Sequence, residues 1–457
     1  MKTDLSTLKE KCRENYPEMK EFLSRLVEIP SVMSEPEGNM PYGKNSAQVL
    51  DVFLKKAESM GFETHNFDNY AGTVTLGSGE PELGILCHLD VVGSGNGWTY
   101  PPFELTEADG KLYGRGTTDD KGPAVSVLYA LKAVSETIPL KKAVRLIVGC
   151  NEENGSDDLE YYRKKQPLPQ KLFTPDGQYP IINIEKGMIR GELSAGFSTD
   201  CQKYIAEIHG GSTVNAVPDR AWAVVCGITA DEINAGADFE IIPQENGVRI
   251  TSHGIPAHAS TPEGGKNALT ALIKLLSGLD LDECDGFKAV KNMAELFPCG
   301  ETDGSSMGLK CSDEKSGALT LVFSVLEFTP DGMTGIFDIR FPVSKTAEEI
   351  NSTAKDTLSG YGFSYRCIMG SEAHYVDENS EFVRTLLDVY EAVSGEKGHC
   401  IAIGGGTYVH NTEGGVAFGA ELPGKEYNMH CADEFTVPEE MIMNSVMAAA
   451  AIAEICG

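Results

Sequence analysis

The sequence predicts an α/β protein with a mostly parallel sheet, interrupted by an inserted α+β lid domain. Three observations carry that reading. From about residue 61 to 186, short apolar strands alternate with amphipathic helices, the pattern of a layered α/β domain. From about 188 to 373 strand-like runs mix with helices without that alternation. After 374 the alternation resumes. The expected division is therefore 1–187 for the first part of a discontinuous domain, 188–373 for the insert and 374–457 for the second part.

The elements follow in order. Residues 5–28 read as a helix, with Leu8, Met19, Phe22, Leu23 and Leu26 on one apolar stripe, broken near Pro30. A second helix lies in AQVLDVFLKKAESMG and stops near Gly61. GILCHLDVV is a strand. PAVSVLYALKAVSE is a helix that tolerates Pro123 in its first turn. AVRLIVGC is again a strand. In the insert, AWAVVCGI and ALTLVFSVLEF read as strands and NALTALIKLLSGL as a helix, giving one α+β domain or two. After HYVDENSEFVRTLLDVYEAVSG helices and strands alternate again, and MIMNSVMAAAAIAEI closes the chain as a helix.

Bulk numbers exclude some functions. The 457 residues leave room for two or more cores, and 41% hydrophobic with 23% charged residues is ordinary for a globular protein. With 38 basic against 68 acidic residues the net charge is −30, which argues against nucleic acid and anionic membrane partners. None of the 12 cysteines lies in a CxxC pair, and Cys87, Cys150 and Cys226 sit in apolar runs, so reduced thiols are expected. The opening MKTDLSTLKEKCRENY is charged throughout and has no apolar signal core. No run of about 18 apolar residues occurs. The expected location is cytoplasmic.

Chemistry collects at the ends of apolar runs. His88 and Asp90 lie in ILCHLDVV, Asp119 in YGRGTTDDKG, Glu152 and Glu153 in LIVGCNEENGS, Asp176 in FTPDG and His430 in YNMHCADEF. Ligands of α/β folds bind at the carboxyl ends of the strands. His88 and Asp90, two apart, would share one strand face, and the aspartate could fix the tautomer of a ligating imidazole. Adjacent Glu152 and Glu153 point apart, so one can hold a cation while the other faces substrate. Singly, each has a plainer reading: Asp119 or Asp120 as a helix N-cap, Asp176 as a turn residue, the glutamates as a solvated acidic turn with Asp157 and Asp158. GRGTTDDKGP lacks the GxxxxGK[ST] spacing of a phosphate loop.

The ordered set HLDVV, GRGTTDDKG, NEENGS, PDGQYP and MHCADE resembles the co-catalytic zinc peptidases that include aminoacylases, bacterial glutamate-releasing carboxypeptidases and peptidase V-type dipeptidases. The resemblance covers nearly the whole chain. It is nearest to the peptidase V type, through GWTYPPFE and the long insert. It implies a phosphorylase/hydrolase-like zinc-peptidase catalytic domain. It also implies two divalent metal ions, Zn foremost with Mn or Co also suited, bridged by Asp119. His88 and Asp176 would complete one metal site, Glu153 and His430 the other. Glu152 would be the general base and Asp90 the brace of His88.

The insert would supply the rest. SHGIPAHASTPEGGKNA resembles the family's lid motif and makes His258 the candidate oxyanion stabiliser, with His253 the competitor. Asn215 and Arg340 match positions that hold the substrate carboxylate; the plainer reading of Arg340 is an ordinary salt bridge. Gly405, in the run Gly404–Gly406, and Thr407 match a stretch where backbone approaches substrate; unaided, it reads as a flexible turn. His65, His209, His374, His399 and His410 receive no role, and Trp98 reads as packing. The expected activity is hydrolysis of short unblocked peptides by a monomer with a closed, size-limited pocket. The alternatives are an amide hydrolase of the same family acting on N-acyl amino acids or C-terminal glutamate conjugates, and a non-catalytic metal or peptide binder.

Overall fold

The computed structural model describes residues 5–198 and 200–457, so the first four residues of the charged N-terminal stretch lie outside the described residues. The chain forms two compact units. One comprises residues up to Asn183 together with Tyr375–Ile401 and Gly406–Gly457; the other comprises Ile184–His374 and Ala402–Gly405.

The first unit is built on a mixed sheet. From one edge its strands are Glu63–Phe67, Ala71–Leu76, Ala143–Gly149, Pro81–His88, Lys171–Thr174, Gly415–Ala417 and Ile181–Glu185, where the chain leaves for the second unit. The middle four are mutually parallel and the flanking pairs antiparallel. Parallel strands are covered on both faces, which is why Pro81–His88 and Ala143–Gly149 are near-continuous apolar runs. Alternation sorts their side chains. Ile85, Cys87, Leu146 and Val148 join the main core, while Leu86 and Ile147 pack on the other face with Tyr162 and Tyr408.

Helices Leu5–Val27, Lys121–Thr137 and Pro438–Cys456 pack on one another over that main core. Lys121–Thr137 and Pro438–Cys456 are apolar around most of their circumference, as a helix enclosed on several sides must be. Pro123 lies in the first turn of its helix, where its missing N–H leaves no intrahelical bond unmade.

The second unit has one antiparallel sheet of eight strands, in the order Phe239–Gln244, Gly247–His253, Arg220–Cys226, Tyr204–Gly210, Thr320–Thr329, Gly332–Phe341, Gly187–Gly196, Ser364–Ser371. Gly187–Gly196 alternates buried and half-buried residues, as a sheet with one covered face requires. Helices Ala268–Ser277, Asp285–Leu296 and Ala347–Gly360 contribute to its main apolar core. Asn267 caps the first of these helices, and a Thr346–Glu349 capping box starts the third. Among the described residues, no helix is long and apolar enough to cross a membrane.

Candidate active site

Three neighbouring parallel strands end at one edge of the first unit, and chemistry sits at each end. His88 is the last residue of Pro81–His88. Glu152 and Glu153 open a single 3-10 turn just past Ala143–Gly149. Asp176 lies two residues beyond Lys171–Thr174. Asp119 ends the loop before helix Lys121–Thr137, and His430 sits in the loop before strand Phe435–Thr436. This is the carboxyl edge where an open α/β sheet leaves a crevice.

Asp119 is the centre of the cluster. Its Oδ1 lies 2.9 Å from His88 Nε2, and its Oδ2 lies 2.7 Å from His430 Nε2. Asp176 Oδ2 is 3.7 Å from the same His88 nitrogen, and Glu153 Oε2 is 3.2 Å from the His430 nitrogen. The donors thus form two sets, His88–Asp119–Asp176 and Asp119–Glu153–His430, each with its ligand atoms within 4.8 Å of one another. Asp119 belongs to both. The Glu152 carboxylate stays outside the sets and, among the described residues, makes no hydrogen bond or ion pair.

Asp90 does more than its spacing suggested, and by another geometry. The strand ends at His88, so Asp90 lies in the following loop and the shared-face argument does not apply. His88 Nδ1 instead lies 3.1 Å from the Asp90 carbonyl and 3.4 Å from its Oδ1. The Asp90 carboxylate accepts the backbone N–H groups of Glu152 (3.2 Å) and Glu153 (3.1 Å). One buried acid therefore orients the imidazole and the glutamate pair together.

The electrostatics are those of a cation site. Burial raises Asp176, helped by Asp119, to about 8. Burial also pushes Glu152 well above the carboxylate range. Burial and then the Asp119 charge lift Glu421 to about 7. Hydrogen bonds to Asp119 and Glu153 raise His430 to about 11. Burial opposes the charged form of His88, but Asp119 and Asp90 outweigh it and hold the ring well above its usual value. Glu153 Oε1 is buried without a partner. Crowded acids that keep protons, and imidazoles that gain them, show too little positive charge for the donors present. Divalent cations fit this set of imidazoles and carboxylates and would invert those shifts.

The loop carrying His430 is strained. Asn428, His430 and Asp433 all have φ between 55 and 58°, the left-handed region that non-glycine residues seldom occupy. Asp433 ties this loop down by accepting the N–H groups of Thr99 (2.8 Å) and Tyr100 (3.3 Å), in the GWTYPPFE segment. Trp98 in that segment donates to the Ser94 carbonyl at 2.7 Å and lies near Arg115, 5.3 Å from ring to guanidinium.

Sequence reasoning missed the buried supports. Glu434 is fully buried and accepts from Arg115 (2.6 Å) and from the N–H groups of Gly116, Thr118 and Asp119. It clamps the Asp119 loop to the His430 loop. An acid inside the strand-like EFTV, beside a histidine motif, was its one signal. Asp120 stands at the helix N-cap position but caps nothing; its Oδ2 accepts the His88 N–H at 3.0 Å. Asp158 is no solvated turn residue. It is buried, accepts Cys150 N–H (2.6 Å), Asn151 N–H (2.8 Å) and the Tyr408 hydroxyl (2.8 Å), and so fixes the approach to Glu152.

The second unit holds His258, Asn215, Arg340 and Gly405, while Thr407 belongs to the first. Asn215 and His258 are neighbours: the Asn215 carbonyl accepts the Ala259 N–H at 2.9 Å, and Ala216 bridges His258. His258 Nδ1 accepts the Ser260 N–H at 3.2 Å and lies 2.7 Å from its hydroxyl. In the neutral ring this places the proton on Nε2. Arg340 is buried, with its fork on Asp338 at 2.6 and 3.2 Å and on the Gly404 carbonyl at 2.8 Å. A Cβ on Gly404 would come within 2.4 Å of Ser260 Cβ, so only glycine lets these backbones approach.

Such a donor set, at the carboxyl edge of an α/β sheet, defines a metal-dependent hydrolase. The profile of Peptidase family M20/M25/M40 matches residues 84–454, and the chain belongs to that family. It is 34% identical to YtjP of Bacillus subtilis (strain 168), over 93% of this chain and 95% of that one. It is 33% identical to the Beta-Ala-Xaa dipeptidase of Lactobacillus delbrueckii subsp. lactis, over 91% and 90%. Human carnosine dipeptidase 1 shares the fold, with a TM-score of 0.60 at 15% identity over 99% of both chains. The protein is therefore a hydrolase of the peptidase class, in a family of metallopeptidases.

Proposed function

We propose that the protein is a dipeptidase that hydrolyses short unblocked peptides with two divalent metal ions. The carrying observation is Asp119, whose two oxygens each meet a different imidazole, so that one carboxylate belongs to both donor sets. His88 and Asp176 would hold one ion, Glu153 and His430 the other. Such ions would supply positive charge that acidifies a water and polarises the scissile carbonyl. Glu152 would take a proton from the attacking water and return it to the leaving amine; burial, which favours the protonated acid, suits it to the second half of that exchange. His258 would donate a hydrogen bond from its Nε2–H to the developing oxyanion. Asn215, Arg340, Gly405 and Thr407 are assigned to holding the substrate backbone and carboxylate, with Arg340 oriented for this by Asp338.

The dipeptide preference is supported by the 33% identical Beta-Ala-Xaa dipeptidase. Zinc is the first candidate, with manganese and cobalt suited to the same ligands. The chain works as a monomer in the cytoplasm on this reading; light scattering on the metal-loaded protein tests the first part. The test of function is a panel of unblocked dipeptides, tripeptides, N-acetyl amino acids and a glutamate conjugate. Each is offered to chelator-treated protein and again after Zn, Mn or Co is restored. Metal-restored cleavage confined to unblocked dipeptides is expected. Cleavage of acylated substrates alone would move the enzyme to the deacylase branch of the family.

A further inference from the structure

The partly exposed face of the second unit's sheet carries a ladder across four adjacent strands. The Arg249 guanidinium lies 4.1 Å from the centre of the Trp222 ring, Trp222 stacks on His209 at 4.3 Å, and His209 Nδ1 meets Glu327 at 2.5 Å. The ladder borders a cleft of about 520 Å³ whose lining includes Ser212, Thr213, Asp219 and Arg220. Neither the catalytic cluster nor the candidate substrate contacts above use any of these side chains.

Charge indicates what the cleft takes. Among the described residues, the Arg220 and Arg249 guanidiniums and the Asp219 carboxylate make no hydrogen bond or ion pair. In a chain with 68 acidic and 38 basic residues, two arginines without a carboxylate partner beside one cleft can take an anion from outside. Arg249 is already held on an aromatic face, so less rotamer freedom is lost when it binds. Asp219, the one acid in the cleft lining, adds a place for a cation. Two guanidiniums, one carboxylate and two hydroxyls match a molecule that carries a carboxylate and an ammonium together. The cleft volume admits an amino acid or a short peptide.

We propose that this cleft binds a small zwitterion, with its carboxylate on Arg220 and Arg249 and its ammonium on Asp219. Amino acids and short peptides are the zwitterions the proposed dipeptidase reaction consumes and releases, and in that respect alone the inference rests on that reading. The cleft is coupled to the lid residues through backbone. The loop from Gly211 to Pro218 lines it, the same loop that carries Asn215 and pairs with the His258 segment through Val217 N–H to the Ala257 carbonyl at 2.8 Å. A bound zwitterion would steady that loop.

The test uses the metal-loaded protein with Trp98→Phe, which leaves Trp222 as the one tryptophan of the two in the chain. Its fluorescence is followed during titration with L-alanine, D-alanyl-D-alanine, acetate and inorganic phosphate. Both zwitterions should give a saturable change, and the tighter of the two identifies the amino-acid or peptide spacing. Arg220→Ala and Arg249→Lys should each weaken binding about tenfold, as loss of a charged hydrogen bond does. Asp219→Asn should weaken the zwitterions and spare acetate. No saturable response to either zwitterion, or a response that Arg220→Ala leaves unchanged, overturns the proposal. So does phosphate binding as tightly as the zwitterions and indifferently to Asp219→Asn. Dipeptide hydrolysis by the unsubstituted metal-loaded protein is read in parallel; its absence would count against the dipeptidase reading and leave the binding result standing.

Discussion

Glu152 and Glu153 are neighbours in sequence with opposite surroundings. Glu153 meets His430, whereas Glu152 is positioned by its backbone N–H on Asp90 and keeps its carboxylate unengaged. Glu152→Gln should therefore lower kcat by about 10²–10⁴ while leaving metal content unchanged. Elemental analysis beside the rate measurement decides this, and full activity in the variant would sink the base assignment. His258→Ala should lower kcat by about 10²–10³, again with metal retained, because the N–H acts on the oxyanion. Metal loss there would show that His258 is a ligand. Glu434→Ala leaves the buried Arg115 and several N–H groups without their acceptor, so thermal or denaturant unfolding should show a loss of about 3–5 kcal/mol.

At the scale of elements, the site depends on how strands end. Gly149 closes the strand that delivers the glutamates, and a Cβ there would meet the Tyr408 hydroxyl at 1.7 Å and Asp158 Oδ2 at 2.3 Å. Asp158 holds the turn by accepting the N–H groups of Cys150 and Asn151, and the Tyr408 hydroxyl donates to the same carboxylate oxygen. Gly149→Ala should cost about 1–3 kcal/mol in stability, read by denaturant unfolding, and should reduce turnover as well. Most elements were legible because their periodicity is strong. The helix expected over 5–28 spans Leu5–Val27, and the apolar run AVRLIVGC contains the strand Ala143–Gly149. The face shared by His88 and Asp90 was misread because period-two reasoning holds only inside a strand, and the strand stops at His88.

The metal-free molecule should be pH-sensitive, and the sign follows from the shifts. Asp176 rises from an ordinary 3.8 to about 8, and His430 from 6.5 to about 11. Each group, raised on folding, adds stability that is complete below its ordinary value and is lost as pH climbs through its folded value. Asp176 therefore makes the chelated protein lose stability as pH rises from about 4 to about 8. Metal binding must displace these protons, so apparent affinity should increase with pH between about 6 and 8. Calorimetry in buffers of different ionisation enthalpy should register proton release. Affinity independent of pH, with no proton release, would contradict this account of the site.

Local pattern was enough for the α/β class, and it drew attention to His88, Asp119, Glu152, Glu153, Asp176 and His430 because each follows an apolar run or lies in a distinctive loop, while only the family resemblance joined them into one candidate site. That reasoning works through neighbours in the chain. It could not show that Asp119 meets both imidazoles, for His88 and His430 are 342 positions apart and meet Asp119 only when the sheet is assembled. Nor could it find Glu434 or Asp158, acids that look like surface residues until folding removes their water and supplies N–H donors in its place. The pairing of Arg340 with Asp338 and Gly404, and the cleft beside Trp222, likewise depend on strands brought together across the second sheet. Chain order specifies which groups are present; burial and cross-strand contact decide which of them are charged, held or free to act.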